Sequence, residues 1–592
     1  MVLLGLAAPL QNRLSDLYDR KTYDIPMRDG VKLHTVVFLP KTVLGKHPIL
    51  MERTPYNASG GGIRGSAKFR EKGYIFAFQD VRGQYLSEGV YENVRPLGGK
   101  IDESTDTSDT VDYLVKNVPD NNGNVGLWGI SYPGFYAGAG AVNTNPHLKA
   151  VSPQAPVSDW FLGDDVHHNG AFFQQDNFDF SSSFDFPRKG PEADHSGLRV
   201  DKGGKSAYDF FLGAGTAEGL DTGYYKGQIP YWNEILDHPN YDAYWKDRSL
   251  PSHMKNVKCA VLTVGGWFDA EDMWGALNTY ASTERQNPGT PNYLVMGPWY
   301  HGMWAGNGRT FGGLDYGQDT SAWYRENVEF PFFEKYLRDV DVAAPAEATV
   351  FETGTNVWRK FEQWPPKGLG KKTFYLADGK GIGEAKSTGS DAFVNDPLAP
   401  TPYLEDTAGN KRRTRTYMVD DQRWAEKRAD VLTYKGTPFE KDATYAGSID
   451  VDFWVATTGT DMDLVVKVID VYAEDAADKT PSGEGMGGYA LNVKADIFRG
   501  RFRNSFEKPE AFVPGQPTRI HFKMNDLLHT FRKGHRLMVQ VQGSWFPLVD
   551  RNPNKFVPNV ERAKPEDFQK ATITVLHDAA HPTSLTFGTL EE

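Results

Sequence analysis

Cysteine is almost missing from this chain. One residue, Cys259, stands among 592, so there can be no disulfide framework and no cysteine metal site. Long apolar runs are missing too, and none approaches the length of a membrane span. Basic residues do not dominate: 65 Lys and Arg face 77 Asp and Glu, a formal charge of −12. That balance argues against nucleic acid as a partner. There are no internal repeats and no low-complexity tracts. What is abundant is core-forming material, 39% apolar and 13% aromatic, which excludes disorder. The length exceeds one domain and implies two to four.

The most informative stretch is residues 127–134, Leu-Trp-Gly-Ile-Ser-Tyr-Pro-Gly. A buried-strand pattern runs into Gly129. Ser131 and Gly134 follow, then a small-residue helix pattern through Ala137, Ala139 and Ala141. A serine on a sharp strand-to-helix turn needs small neighbours, or the turn cannot close and its Oγ cannot stand clear. This is the pattern of a nucleophile elbow, with Pro133 where the second glycine usually falls and Gly134 one later. Alone, such a segment reads better as an ordinary turn serine.

Two later segments change that reading. A strand pattern at 257–264 leads into Gly265-Gly266-Trp267-Phe268-Asp269, and another at 293–297 leads into Pro298-Trp299-Tyr300-His301. The order Ser131, Asp269, His301 is that of the α/β-hydrolases. All three fall just past strand ends, where ligand sites of open α/β sheets lie. His301 is the expected base for Ser131, and Asp269 the group that orients it. One oxyanion donor is expected at the Tyr132 backbone N–H. The second is sought in the loop Arg53-Thr54-Pro55-Tyr56-Asn57, where the Tyr56 hydroxyl competes with a purely structural role for that tyrosine.

Strand patterns at 33–38, 49–52 and 74–79, a helical one at 107–118 and a strand at 149–152 alternate as in a mainly parallel sheet. The long gap between Ser131 and Asp269 is aromatic-rich without strand alternation, so a mostly helical cap is expected there. After Trp364-Pro365-Pro366, strand-like runs follow without long helices, which argues an all-β sandwich or jelly roll. The expected division is 1–157 for the first α/β-hydrolase part, 158–255 for the cap, 256–366 for the second part and 367–592 for the jelly roll.

Asp269-Ala270-Glu271-Asp272 reads as an acidic first turn of a helix. The helix dipole alone accounts for such acids. A pocket that holds an ammonium group, with Asp164-Asp165 of the cap contributing, is the alternative, and on the residues alone the dipole reading ranks first. His167-His168 reads as cap packing or surface, because adjacent side chains diverge and suit no metal. Residues 1–10 are apolar but lack a basic start and a clean cleavage site. They read as a signal-peptide remnant or an N-terminal arm.

These motifs, with Asp80-Val81-Arg82-Gly83, resemble the cocaine esterase and X-prolyl dipeptidyl peptidase group of serine hydrolases. Within it the chain is most similar to the α-amino-acid ester hydrolases, through Trp160-Phe161-Leu162-Gly163-Asp164-Asp165, the acidic run at 269–272 with Met273-Trp274-Gly275-Ala276, Phe498-Arg499-Gly500-Arg501 and Ser544-Trp545-Phe546-Pro547-Leu548. Pro133 departs from them and is more typical of the wider group. The resemblance implies an α/β-hydrolase fold with an inserted helical cap and a C-terminal jelly roll. It also implies a carboxylate cluster for the substrate ammonium, mapping onto Asp165, Glu271 and Asp272, which reverses the ranking of the acidic turn. The implied activity is hydrolysis of esters and some amides of α-amino acids through an acyl-enzyme, with transfer to amines such as β-lactam nuclei. Neither cofactor nor metal is implied. Two other activities stay open, an X-prolyl-type dipeptidyl peptidase and a general esterase or acylase of the cocaine esterase or glutaryl-cephalosporin acylase type. The expected partner is a small-molecule substrate, not nucleic acid or membrane, with a homo-oligomer left open. The implied location is periplasmic or secreted, the cytoplasm not being excluded.

Overall fold

The computed structural model describes residues 14–60 and 67–591; the apolar stretch 1–10 lies outside them. The first architectural unit is a ten-stranded sheet. Its strands are β1 Tyr18–Pro26, β2 Lys32–Pro40, β3 His47–Thr54, β4 Ile75–Asp80, β5 Asn121–Ser131, β6 Leu148–Pro156, β7 Ala260–Gly266, β8 Asn292–Gly297, β9 Ala348–Glu352 and β10 Val357–Phe361. They lie in the order β1-β2-β4-β3-β5-β6-β7-β8-β9-β10. The stretch from β4 to β9 is parallel throughout, with antiparallel strands only at the two edges. Every residue of β4 and β7 is buried, as expected of parallel strands covered on both faces.

Helices α1 Glu103–Asn117, α2 Tyr132–Ala141, α3 Gln174–Phe184, α4 Met273–Gln286 and α5 Phe330–Arg338 follow in chain order. The pleat of β5 assigns α2 and α5 to opposite faces. A Cβ on Gly126 would meet Leu337 and Phe333 of α5, while one on Gly140 of α2 would meet the side chain of Leu127. Between β6 and β7 the chain makes α3 and a series of short helices from Ala207 to His253, the expected helical cap. His167 and His168 pack within it. His167 Nδ1 faces the Trp160 carbonyl at 3.0 Å, and burial pushes its pKa down to about 3.

The Asp80-Val81-Arg82-Gly83 motif braces the sheet end. Arg82 bridges Asp106 and Asp29 at 2.7 and 2.8 Å, and Asp80 accepts from the Ala58 N–H at 2.6 Å. Gly83 has φ +73°, and a Cβ there would stand 2.1 Å from the Tyr91 nitrogen.

The C-terminal part is all β, in an eleven-stranded array. Its strands include β11 Gly370–Ala377, β12 Ser390–Asn395, β13 Val431–Lys435, β14 Ala443–Thr457, β15 Asp463–Val471, β16 Ala490–Arg499, β17 Thr518–Phe531, β18 Arg536–Gln542, β19 Ala571–Leu576 and β20 Ser584–Thr589. The long β14 pairs with β17 along one edge and with β19 and β20 along the other, with a register shift after Gly447. Such a bulge bends a strand, and β14 is the strand from which β17 branches off the main strand order. Alternating burial in β14 and β19 is the sandwich pattern that the sequence carries.

Arg499 is the polar hub of this domain. Fully buried, it meets Asp463 at 3.0 Å, Asp550 at 2.5 Å and Glu561 at 3.3 Å. Its N–H donates to the Asn169 carbonyl of the cap at 3.3 Å. Replacing Arg499 by Met leaves three carboxylates buried without a counter-charge, and removing one partner of such a network costs about 3–5 kcal/mol. Arg499→Met is therefore expected to unfold at clearly lower urea concentration than the parent, as followed by circular dichroism.

Candidate active site

The end of β5 makes the sharp turn that its glycines imply. Ser131 sits at φ 68°, ψ −126°, a strained backbone for a side-chain-bearing residue. A Cβ on Gly129 would fall 2.4 Å from the Pro133 carbonyl carbon, and one on Gly134 would fall 2.5 Å from the Gln154 carbonyl oxygen of β6. The second obligatory small residue is thus the one that faces β6, at position 134. Pro133, in the first turn of α2, gives up an N–H that has no partner within the helix. Tyr132 opens α2, so its N–H likewise lacks an intrahelical acceptor and stands free beside Ser131.

Asp269 and His301 are brought together by two loops that zip side by side. Gly266 of β7 and Gly297 of β8 are register partners. Beyond them the Trp267 N–H donates to the Gly297 carbonyl at 2.8 Å and the Phe268 N–H to the Trp299 carbonyl at 3.0 Å. A Cβ on Gly266 would lie 2.2 Å from the Trp299 oxygen, so the loops close only over glycine. The outcome is His301 Nδ1 at 3.0 and 3.2 Å from the two carboxylate oxygens of buried Asp269.

The acidic segment requires a correction. It is not the first turn of a helix: α4 begins at Met273, and Asp272 has φ −125°, ψ 34° with no capping hydrogen bond. Instead, Asp269 Oδ1 accepts from the N–H groups of Glu271 at 2.8 Å and Asp272 at 3.1 Å. An aspartate that binds its own following backbone competes with the helix for those donors. Asp269 and Glu271 thus lie ahead of the helix, and only Asp272, at its N-cap position, is placed to feel the dipole directly.

Ser131, Tyr132, Tyr56, His301, Asp165 and Glu271 line a cavity of about 380 Å³ beneath the cap. Trp160, Val166, Phe180 and Tyr231 add aromatic and apolar surface to the lining. Tyr56 lies on the loop after β3. Asp272 does not reach the cavity surface; it lies behind, wholly buried, with Oδ2 at 3.7 Å from His301 Nδ1. Neither of its carboxyl oxygens has a hydrogen-bond partner among the described residues. Asp164 is structural, accepting from the N–H groups of Ser158, Asp159 and Gly275 at 2.8–2.9 Å. Asp165, at φ 32°, turns the other way and accepts from the Trp160 indole at 3.3 Å.

Two charged residues of the cavity wall escape the sequence reading. Arg413, on a loop of the β domain, pairs with Glu271 and binds Asp176 of α3 at 2.5 Å. Its local signal is the run Lys-Arg-Arg-Thr-Arg at 411–415, which by composition belongs on a solvated face. Asp176 has no signal beyond its helix.

The carboxylates differ in charge state. Burial and the neighbouring Glu271 push Asp165 up to about 7. Burial, reinforced by Asp165, Asp164 and Asp269, raises Asp272 well above the usual carboxylate range. Glu271 is also buried, yet His301 and Arg413 hold it down at about 2. Burial acts to lower His301, but Asp269 and Glu271 outweigh it and lift the imidazole to about 9. Among the described residues no group of three or more His, Cys, Asp or Glu side chains could hold a metal ion, and no helix is long and apolar enough to cross a membrane.

Residues 29–303 match the family model of X-Pro dipeptidyl-peptidase (S15 family), and residues 340–586 that of the X-Pro dipeptidyl-peptidase C-terminal non-catalytic domain. A solved α-amino acid ester hydrolase, labelled with selenomethionine, is 38% identical with a TM-score of 0.91, over 99% of this chain and 98% of that one. A solved aminopeptidase from a marine sediment archaeon of the Thaumarchaeota is 35% identical with a TM-score of 0.90, over 97% and 96%. The cocaine esterase of Rhodococcus sp. (strain MB1 Bresler) is 26% identical over 573 residues, 90% of this chain and 91% of that protein. A serine at a nucleophile elbow, a histidine–aspartate pair beside it, a helical cap and a β-sandwich domain accompany these similarities, and the chain belongs to the α/β-hydrolase family of serine hydrolases that includes the X-Pro dipeptidyl-peptidases, cocaine esterase and α-amino acid ester hydrolase.

Proposed function

We propose that this serine hydrolase cleaves esters, and some amides, of α-amino acids through an acyl-enzyme and can pass the acyl group to a bound amine, β-lactam nuclei included. In this reading Ser131 Oγ attacks the carbonyl while His301 takes its proton and later returns it to the leaving group. Asp269 holds the imidazole tautomer and stabilises the imidazolium. The Tyr132 N–H and the Tyr56 hydroxyl receive the oxyanion. Asp165 and Glu271 hold the substrate ammonium at the cavity wall, and Asp272 adds negative potential from behind. A water molecule releases the acid. An amine seated in the same partly dry cavity captures the acyl group instead.

The observation that carries the reading is the composition of the cavity lining. The carboxylates Asp165 and Glu271 and the aromatic side chains Trp160, Phe180 and Tyr231 line the same cavity as Ser131 and His301. That surface suits a substrate with an ammonium at the α position and an apolar, preferably aromatic, side chain. Under a cap that limits water, the attraction between carboxylate and ammonium gains strength because the effective dielectric falls.

The test is the ratio of kcat/KM for phenylglycine methyl ester over phenylacetic acid methyl ester. A large ratio is expected in the parent protein, collapsing in Asp165→Asn. A ratio near one in the parent overturns the assignment and leaves a general esterase. The archaeal aminopeptidase, at 35% identity, favours a second reading in which the ammonium is a peptide N-terminus. Faster turnover of phenylglycyl peptides than of the ester would decide for it.

A further inference from the structure

The nitrogen of His301 that must accept the Ser131 proton is already engaged. Glu271 Oε2 lies 3.3 Å from His301 Nε2, while Asp269 stands at 3.0 Å from Nδ1. An ionised carboxylate only accepts hydrogen bonds. A carboxylate this close to each ring nitrogen favours the doubly protonated imidazolium, which has no lone pair for the serine. Glu271 cannot readily swing aside. Its other oxygen is bound by Arg413, which Asp176 in turn anchors, and its backbone is tied to the cap by the Asp165 N–H at 3.2 Å.

We propose that Glu271 is a lock on the catalytic base, closed while the cavity is empty and opened by the substrate ammonium. The inference rests on the amino-ester reading and adds to it. An ammonium arriving between Asp165 and Glu271 brings a second positive charge to the carboxylate that stabilises the imidazolium. It takes over the Glu271 oxygen, and the Nε2 proton leaves to solvent. His301 then offers its lone pair to Ser131 Oγ. An ester without the ammonium finds the base still protonated. Selectivity for amino substrates is thus expressed in kcat as well as in KM.

The charges around this contact are consistent with the lock. Facing the imidazole are Asp269, Asp272, Asp165 and Glu271. Facing Glu271 from the β domain are Arg413 and Arg415, with Asp176 of α3 beyond Arg413. The carboxylates prevail, and His301 is lifted to about 9. A group so raised is protonated below that pH and becomes a base only above it.

The experiment follows the pH dependence of kcat for phenylacetic acid methyl ester in the parent and in Glu271→Gln. The parent rate is expected to climb toward an inflection near 9. In Glu271→Gln the inflection should move down by about one pH unit, which raises the neutral imidazole at pH 7, and with it the rate, about tenfold. Phenylglycine methyl ester should lose rate in the same variant. A second arm needs no substitution: ethylammonium chloride, against potassium chloride at equal ionic strength, should accelerate the parent on the phenylacetic ester but not Glu271→Gln. An unmoved inflection in a folded variant overturns the lock, as does a parent rate indifferent to ethylammonium. If the phenylglycine-to-phenylacetic ratio is large while both of these fail, the lock alone is lost. If that ratio is near one, the amino-ester reading is lost with it.

Discussion

Ser131→Ala is expected to lower turnover about 10⁴–10⁶-fold, the range found when a residue of a serine-hydrolase triad is removed. The side chain stands on a backbone strained to φ 68°, a conformation that a surface turn has no reason to keep. Glycines at 129 and 134 exist to let that turn close against Pro133 and β6. Without the Oγ there is no acyl-enzyme, and the base, the oxyanion donors and the binding wall can only promote attack by water. Alanine removes a single oxygen, so the unfolding midpoint should be nearly unchanged. A fluorophosphonate probe should label the parent at Ser131 and leave Ser131→Ala unlabelled. Near-normal hydrolysis by Ser131→Ala would sink the mechanism.

Tyr56→Phe should lower kcat about 10²–10³-fold with a smaller change in KM, the usual effect of removing one oxyanion donor. The substitution deletes a hydroxyl and keeps the packing. The Tyr56 ring meets Tyr132 edge-on at 6.4 Å and Phe184 at 5.6 Å, contacts that phenylalanine reproduces. Tyr56 keeps 42% of its surface open to the cavity. Burial of its hydroxyl end, with Asp165, Asp272 and Glu271 nearby, raises its pKa well above the usual tyrosine value. The group therefore remains an O–H donor at any working pH, as an oxyanion requires. If KM alone moves, Tyr56 is a substrate contact or a packing residue.

Much of this site could be read from local sequence, because its chemistry is tied to strand ends. A strand pattern followed by Gly-Gly-Trp-Phe-Asp, and another followed by Gly-Pro-Trp-Tyr-His, place their last residues beyond the sheet whatever the rest of the chain does. The glycines there have no alternative, since each allows one backbone to pass within van der Waals distance of another. The edge strands β1 and β10 and the short β9 next to the edge carry a weaker pattern. β1 and β10 are largely exposed, so neither shows the continuous apolar run of a central parallel strand, and a five-residue strand such as β9 is too short for periodicity to single out. The acidic turn is ambiguous in sequence for a different reason. Spacing alone cannot tell whether an aspartate caps a helix dipole or folds back onto its own backbone, and Asp269 does the latter.

Local pattern was thus enough to place Ser131, Asp269 and His301 beyond their strand ends, and for the helical cap and the change to an all-β domain, since each depends on residue type within one strand, one turn or one periodic stretch. The charge balance of the cavity was not accessible in that way. Arg413 lies in a basic run that by itself suggests a solvated face, and it acquires its role only because a loop of the β domain reaches Glu271 and Asp176. Whether a carboxylate is an open ammonium site or a partner of the catalytic imidazole depends on charges brought together from four segments distant in the chain. Coulomb interactions are set by separation in space and by the exclusion of water, and both are properties of the packed tertiary structure.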